Sequence, residues 1–138
     1  MKLMISWSLL IIFFSIGCEG PLSTIENNRI IFRTTSNSYF TTDSIKVFIK
    51  NNTLSDFKIA LRCGGYLEMY YQKKENNTWS NNLWFSWMSL ACFTTINTIK
   101  KYNAFEFTIP SDEIDVSGTY RLILANDTLI VSNSFEVR

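Results

Sequence analysis

Side chains that could carry out chemistry are few in this 138-residue chain. Histidine is absent, which removes the commonest general base, the usual serine and cysteine triads, and most zinc and iron sites. The reactive groups that remain are three cysteines, Cys18, Cys63 and Cys92. The order of the carboxylates along the chain predicts no converging catalytic pair. We therefore expect no enzymatic activity, no cofactor and no metal ion.

Composition limits the remaining classes of protein. Hydrophobic residues make up 46% of the chain and aromatic residues 15%, which is enough to bury the core of one domain. The 13 Lys and Arg residues nearly balance the 12 Asp and Glu residues, so no strong basic field exists to attract nucleic acid. The sequence predicts one globular domain whose partners do not include nucleic acid.

The first residues read as a targeting signal. Lys2 supplies one positive charge, and Leu3 to Ile16 is apolar apart from three serines. This apolar run of about 14 residues falls short of the roughly 20 that a membrane-spanning helix needs. The polar residues Glu19 to Pro21 then end it abruptly. We predict a cleaved signal peptide over residues 1–17, with an uncleaved membrane anchor as the alternative.

The end of this signal, Phe14-Ser15-Ile16-Gly17-Cys18, resembles the lipobox of bacterial lipoproteins. The resemblance implies that Cys18 receives a diacylglycerol thioether, carries fatty acyl chains such as palmitate, and becomes the mature N-terminus. It also implies a cell-envelope location, either periplasmic or at the surface, with the membrane as a partner through the lipid anchor. Residues 18–28 would then form a polar tether. An ordinary signal peptide with a cysteine nearby is the alternative.

Cys63 and Cys92 remain after the signal. In an oxidising compartment an even pair of cysteines predicts a disulfide bond, and closing a loop of this length would contribute roughly 3–4 kcal/mol. Two separate buried thiols are the alternative. A metal site is disfavoured because the sequence offers no histidine and no CxxC pair.

The remainder of the chain, residues 29–138, predicts short strands separated by turn residues. Alternation is clearest in SIKVFIK, where Ile45, Val47 and Ile49 share one face. No helical period persists beyond one turn, which we predict over Ser111–Ile114. The pattern predicts an all-β fold, an antiparallel β-sandwich. The predicted strands span residues 29–35, 44–50, 57–62, 66–73, 104–109, 119–125 and 129–137, the last two joined by a hairpin at 126–128.

The segment Asp115-Val-Ser-Gly118-Thr-Tyr120-Arg-Leu122 resembles the tyrosine corner of immunoglobulin-like sandwiches. With segments 45–53 and 67–79, it resembles the bacterial immunoglobulin-like domains of lipoproteins. The resemblance implies that the Tyr120 hydroxyl bonds to backbone upstream of it and that Leu122 stands where antibody domains carry their second cysteine. The chain departs from the family pattern in its cysteine pair and in an insert at 81–88.

The densest aromatic cluster is the second candidate site. In an extended strand, Trp84, Ser86 and Met88 would face one way and Phe85 and Trp87 the other. Exposed aromatic rings beside asparagine would suit stacking on sugars or a protein contact, but packing in the core and loops of the sandwich is the interpretation that we favour. The candidate binding residues are Trp79, Trp84, Phe85 and Trp87.

The acidic group Asp112, Glu113 and Asp115 has the hard oxygen ligands that calcium prefers, but it lacks a fixed glycine pattern. A solvated corner between strands is the interpretation that we favour.

These patterns predict a lipid-anchored, non-enzymatic, extracytoplasmic protein with one immunoglobulin-like sandwich that binds an envelope protein or polymer. A carbohydrate-binding module that uses Trp84 and Trp87 is the first alternative. A small hydrolase, or an inhibitor of one, is the second.

Overall fold

The computed structural model describes residues 29–138. The predicted signal peptide (1–17) and tether (18–28), including Cys18, lie outside the described residues. Within this range the chain consists of strands joined by turns, with one 3₁₀ helix at Ser86–Ser89. In chain order the strands are β1 (Ile30–Thr34), β2 (Ser38–Tyr39), β3 (Ile45–Asn51), β4 (Phe57–Arg62), β5 (Tyr66–Leu67), β6 (Met69–Glu75), β7 (Thr78–Trp79), β8 (Leu83–Trp84), β9 (Thr94–Ile99), β10 (Ala104–Ile109), β11 (Gly118–Leu124) and β12 (Phe135–Val137).

Three sheets assemble from these strands. The back sheet has the order β1-β3-β10, and the front sheet has the order β2-β12-β11-β6-β7 with β8 also paired to β6. A small sheet has the order β5-β4-β9. The named strand pairs are antiparallel except β12 with β2, which is parallel. The predicted all-β antiparallel sandwich is therefore confirmed.

The core lies between the back and front sheets. Along β3 the side chains of Ile45, Val47 and Ile49 are buried, so the period-2 alternation read from the sequence is the inward face of the central back strand. The front sheet contributes Leu122 and Leu124 to the same cluster. Burial of these apolar side chains is the main term that stabilises the sandwich.

The small sheet continues the back sheet through a bend. Strand β4 follows β3 and pairs with β9, while β10 follows β9 and pairs with β3. Asn51 is fully buried at the bend. Its amide nitrogen donates to the carbonyls of Ser55 (2.8 Å) and Ile99 (2.9 Å), and its amide oxygen accepts from Thr53. A buried amide with these partners offsets its desolvation and fixes the bend.

Glu68 marks the point where the chain passes from the small sheet to the front sheet. Its backbone N–H donates to the Ala60 carbonyl in β4, and its own carbonyl accepts from Ala125, beyond β11. The predicted strand over 66–73 is therefore two strands, β5 and β6, that belong to different sheets.

Two other predicted elements differ from the structure. Residues 129–137 do not form one strand, because only Phe135–Val137 pairs regularly and Val131 makes an isolated bridge to Ile123. No helical turn forms at Ser111–Ile114, where a turn bonds the Glu113 N–H to the Pro110 carbonyl at 3.2 Å. In the part of the chain that the structure describes, no helix is long and apolar enough to cross a membrane.

Candidate binding face

The outward side of the front sheet carries a set of accessible aromatic and amide groups. The register pairs Arg121 with Gln72, and Trp84 with Tyr70, so their side chains leave the sheet on the same side. Trp79 joins them through the short strand β7, paired with β6. We call this set the aromatic face, which consists of Tyr70, Gln72, Trp79, Asn82, Trp84 and Arg121.

Contacts within the aromatic face hold its polar groups in place. The guanidinium of Arg121 lies over the Trp79 ring, 4.3 Å from its centroid, and its Nε donates to Gln72 Oε1 at 2.8 Å. Gln72 Nε2 in turn donates to Asn82 Oδ1 at 2.9 Å. Side chains that are already bonded to one another lose less conformational entropy when a ligand binds.

Trp84 supplies the accessible ring. Its side chain packs edge-on against Tyr70, with ring centroids 4.8 Å apart, and 61% of the residue stays exposed. A tight turn at Asn76 and Asn77, which both adopt positive φ, reverses the chain from β6 into β7 and so brings Trp79 beside β6. Asparagine tolerates that conformation better than most residues.

Phe85 and Trp87, two of the four candidate binding residues, lie in the core, which agrees with the favoured interpretation and removes them from any binding surface. Both are nearly inaccessible, and their rings stack in parallel with centroids 4.4 Å apart. The indole N–H of Trp87 donates to the Leu67 carbonyl at 3.0 Å, which satisfies the polar group of a buried tryptophan. Trp84 and Trp87 therefore do not share a surface, and the alternative that required both for carbohydrate binding fails in that form.

Glu113 belongs to a structural contact rather than to a cation site. Its carboxylate accepts from the Ser86 N–H at 2.9 Å and from the Ser86 hydroxyl, at the start of the 3₁₀ helix. Asp112, Glu113 and Asp115 do not form a metal-ligating cluster, and residues 29–138 contain no group of three or more Cys, Asp or Glu side chains arranged to hold a metal ion.

The predicted tyrosine-corner contact is present. The Tyr120 hydroxyl donates to the Val116 carbonyl at 2.7 Å, and Leu122 is fully buried two residues later. Burial raises the pKa of Tyr120 above its usual value, and the nearby Tyr71 and Asp115 act in the same direction. Burial and the charges of Glu113 and Asp115 likewise raise the pKa of Tyr71.

The predicted Cys63–Cys92 disulfide is also present, with Cα atoms 5.2 Å apart. Cys63 and Gly64 both have positive φ in the turn that joins β4 to β5. Nearby, Arg62 makes an ion pair with Glu68 at 3.3 Å and donates to the Cys92 carbonyl. The bridge therefore fixes the segment that follows the 3₁₀ helix to the tip of the small sheet.

Four members of the aromatic face were not predicted from the sequence: Tyr70, Gln72, Asn82 and Arg121. The alternation of Tyr70 and Gln72 along β6 is visible in the sequence, but their pairing with β11 depends on a register that only the fold supplies.

Comparison with known proteins adds little to this geometry. No family model matches the chain, and no curated protein matches it. Among solved structures, a β-glucosidase from Listeria innocua in complex with glucose is similar, with a TM-score of 0.38 and 12% sequence identity. The match covers 79% of this chain and 16% of that enzyme, so the chain spans less than a fifth of the enzyme's length.

Proposed function

We propose that the protein is a lipid-anchored, non-enzymatic binding module of the cell envelope, a bacterial lipoprotein with one immunoglobulin-like domain. The lipobox-like end of the signal, with Cys18, supports the anchor. The aromatic face supports the binding role, and the exposure of Trp84 is the observation that carries it. The partner would be a protein or polymer of the envelope that contacts this face.

The physical reason for choosing this face is the combination of a large accessible ring with immobilised polar groups. A ring such as Trp84 contributes contact area at little conformational cost, and tryptophan and arginine are enriched among residues that dominate binding energy. On the same side of the sheet, Arg121 and Gln72 add hydrogen-bonding groups whose positions are fixed by the contacts between them and with Asn82.

Two experiments test the anchor and the face separately. The anchor requires that metabolic labelling with palmitate marks the wild-type chain and not a Cys18→Ser variant, because only a thiol can form the thioether. Labelling that persists in the variant would refute the anchor. For the face, Trp84 is replaced by an aromatic photo-crosslinking amino acid, which keeps a ring at this position, and envelope partners are identified after irradiation.

A matched control makes the second experiment specific. Phe93 is an aromatic residue that is 90% exposed and does not belong to the aromatic face. Crosslinks from position 84 that are absent from position 93, and that Arg121→Ala weakens, would support the proposal. Equal crosslinking from both positions would contradict it.

A glycan is the second candidate partner, and the neighbouring amides of Gln72 and Asn82 favour it. A flat ring can stack on a sugar while amides bond to its hydroxyls. Glycan-array binding that Trp84→Ala abolishes and Phe93→Ala preserves would establish this form of the proposal. If no glycan binds, the carbohydrate candidate is removed while the protein partner stands.

A further inference from the structure

The bend between the back sheet and the small sheet carries a second surface that the aromatic face does not use. Its two connections, 52–56 and 100–103, lie side by side, because Asn51 exchanges backbone hydrogen bonds with Tyr102 and Asn103. An ion pair between Lys100 and Asp56, with Nζ and Oδ2 2.8 Å apart, joins the same connections. We call this surface the bend patch; it consists of Arg29, Lys50, Leu54, Asp56, Lys100, Lys101 and Tyr102.

Two large apolar side chains of the bend patch face solvent. Leu54 is 73% exposed and Tyr102 is 58% exposed. Tyr102 also adopts a φ of 64°, a left-handed conformation that is uncommon for a bulky side chain. Asparagine or glycine would occupy this turn at lower cost. Such backbone outliers concentrate at functional surfaces, so the aromatic ring at this position requires an explanation outside the core.

The charge of the bend patch is predominantly positive. Within the bend patch the ammonium groups of Lys50, Lys100 and Lys101 outnumber the carboxylate of Asp56. The Lys100 ammonium beside Asp56 lowers the pKa of that carboxyl, so the carboxylate of Asp56 stays ionised near neutral pH. Basic side chains around exposed leucine and tyrosine form the combination that binds the surface of an anionic bilayer.

The polypeptide also enters the domain at the bend patch. The Arg29 carbonyl accepts a hydrogen bond from the Asn52 N–H at 3.1 Å, and Ile30 pairs with Asn51. If Cys18 is lipidated, as the proposed function holds, ten residues separate the anchor from Arg29. Ten residues span at most about 33 Å, so the tether keeps the bend patch at a high local concentration near the bilayer.

We infer that the bend patch is the membrane-contacting surface of the anchored protein. Leu54 and Tyr102 enter the headgroup region, where tyrosine is favoured because its ring is apolar and its hydroxyl is polar. Lys101 and its basic neighbours bind the phosphates of anionic lipids. This contact would fix the orientation of the domain on the membrane. The inference rests on the lipid anchor of the proposed function.

The experiment uses the full-length lipoprotein reconstituted in vesicles of roughly two parts phosphatidylcholine to one part phosphatidylglycerol. Hydroxyl-radical footprinting then measures the reactivity of individual side chains. Phe93 and Leu129, each 90% exposed and outside the bend patch, are the internal references. We expect Leu54 and Tyr102 to react roughly threefold less than these references, after correction for residue type and for exposure in the free domain.

Two charge variants sharpen the measurement. Lys101→Glu places a negative charge in the bend patch and should restore the reactivity of Leu54 and Tyr102, because it is repelled by anionic headgroups. Lys46→Glu makes the same charge change at an exposed position of β3 outside the patch and should leave the protection unchanged.

Each outcome decides one claim. Reactive Leu54 and Tyr102 in a protein whose Cys18 peptide carries acyl chains would overturn the membrane contact and leave the anchor intact. If Lys46→Glu removes the protection as fully as Lys101→Glu does, the membrane contact of the bend patch is also overturned. The protection would then depend on the total charge of the protein and not on the patch. A Cys18 peptide without acyl chains would overturn the proposed anchor, and this inference with it.

Discussion

Two tryptophans in the segment from Trp79 to Met88, Trp84 and Trp87, have surroundings that differ sharply. On one side Trp84 lies on the front sheet with most of its surface exposed, next to Tyr70. On the other side Trp87 is buried against Phe85 and Phe107. Residue type alone therefore did not decide which ring became core and which became surface.

Alternation along the chain separates the two tryptophans, and a change of backbone conformation after Trp84 decides the side on which Met88 lies. Trp84 ends strand β8, and the chain then turns into the 3₁₀ helix at Ser86–Ser89. Strand parity correctly separates Trp84 and Ser86 from Phe85 and Trp87, but it fails at Met88, which is buried. The 3₁₀ helix ends the two-residue alternation of a strand, and Trp87 and Met88 are both buried there.

The largest test of this contrast compares alanine at the two positions. Trp87→Ala should lower the free energy of unfolding by about 4 kcal/mol, because it removes a large buried ring and leaves the Leu67 carbonyl unpaired. Trp84→Ala should cost less than about 1 kcal/mol, since the ring is mostly exposed. Urea denaturation followed by circular dichroism measures both values, and equal losses would contradict the assignment of the two sides.

The next largest effect is expected from the Cys63–Cys92 disulfide, which joins the chain just after the buried tryptophan to the small sheet. Replacing Cys63 and Cys92 together by alanine should lower the free energy of unfolding by about 3 kcal/mol, because the unfolded chain regains the entropy of the closed loop. Hydrogen exchange should then accelerate in the 3₁₀ helix more than in β6. If exchange in this variant is faster at Trp84 than at Trp87, the disulfide does not stabilise the buried side of the segment in preference to the exposed side.

A smaller effect is expected at the tyrosine corner, on the interior side of the front sheet. Tyr120→Phe removes the bond to the Val116 carbonyl and should cost about 1 kcal/mol by the same denaturation measurement. If the loss of unfolding free energy is within error, the Tyr120 hydroxyl gains no net stability from bonding to the protein instead of to water.

The same residue has a pH signature. Because burial raises the pKa of Tyr120 and of Tyr71, the folded state keeps their protons at a pH where the unfolded state releases them. Their contribution to stability is therefore complete below the usual tyrosine pKa of about 10 and decreases as pH rises above it. Thermal melts across this range should show a shallower decline in Tyr120→Phe than in the wild type.

The smallest stability effect is expected on the outer side. Arg121→Ala removes a partly exposed cation over Trp79 and should cost about 0.5 kcal/mol. Its effect on crosslinking from position 84 should be larger than its effect on stability, because Arg121 also positions Gln72. If Arg121→Ala lowers the free energy of unfolding but leaves the partner crosslinks unchanged, the partner does not bind at the aromatic face.

Sequence patterns predicted several elements well for physical reasons. β4 and β10 have the predicted bounds, since their side chains and the turns around them give local signals. β9 was missed because five of its six residues are exposed, which leaves no alternation to detect. β2 was missed because two residues pairing in parallel with β12 carry no local pattern.

The sequence by itself determined the absence of histidine chemistry, the alternating core strands, the cysteine pair and the tyrosine-corner pattern, because each depends on residue type and short-range spacing. Only the tertiary structure decided that the chain changes sheets at Glu68, that Trp84 faces outward while Trp87 packs inside, and that the start of β1 lies at the same bend as the connections 52–56 and 100–103. These features depend on strand register and on contacts between residues far apart in the chain, which local patterns do not encode.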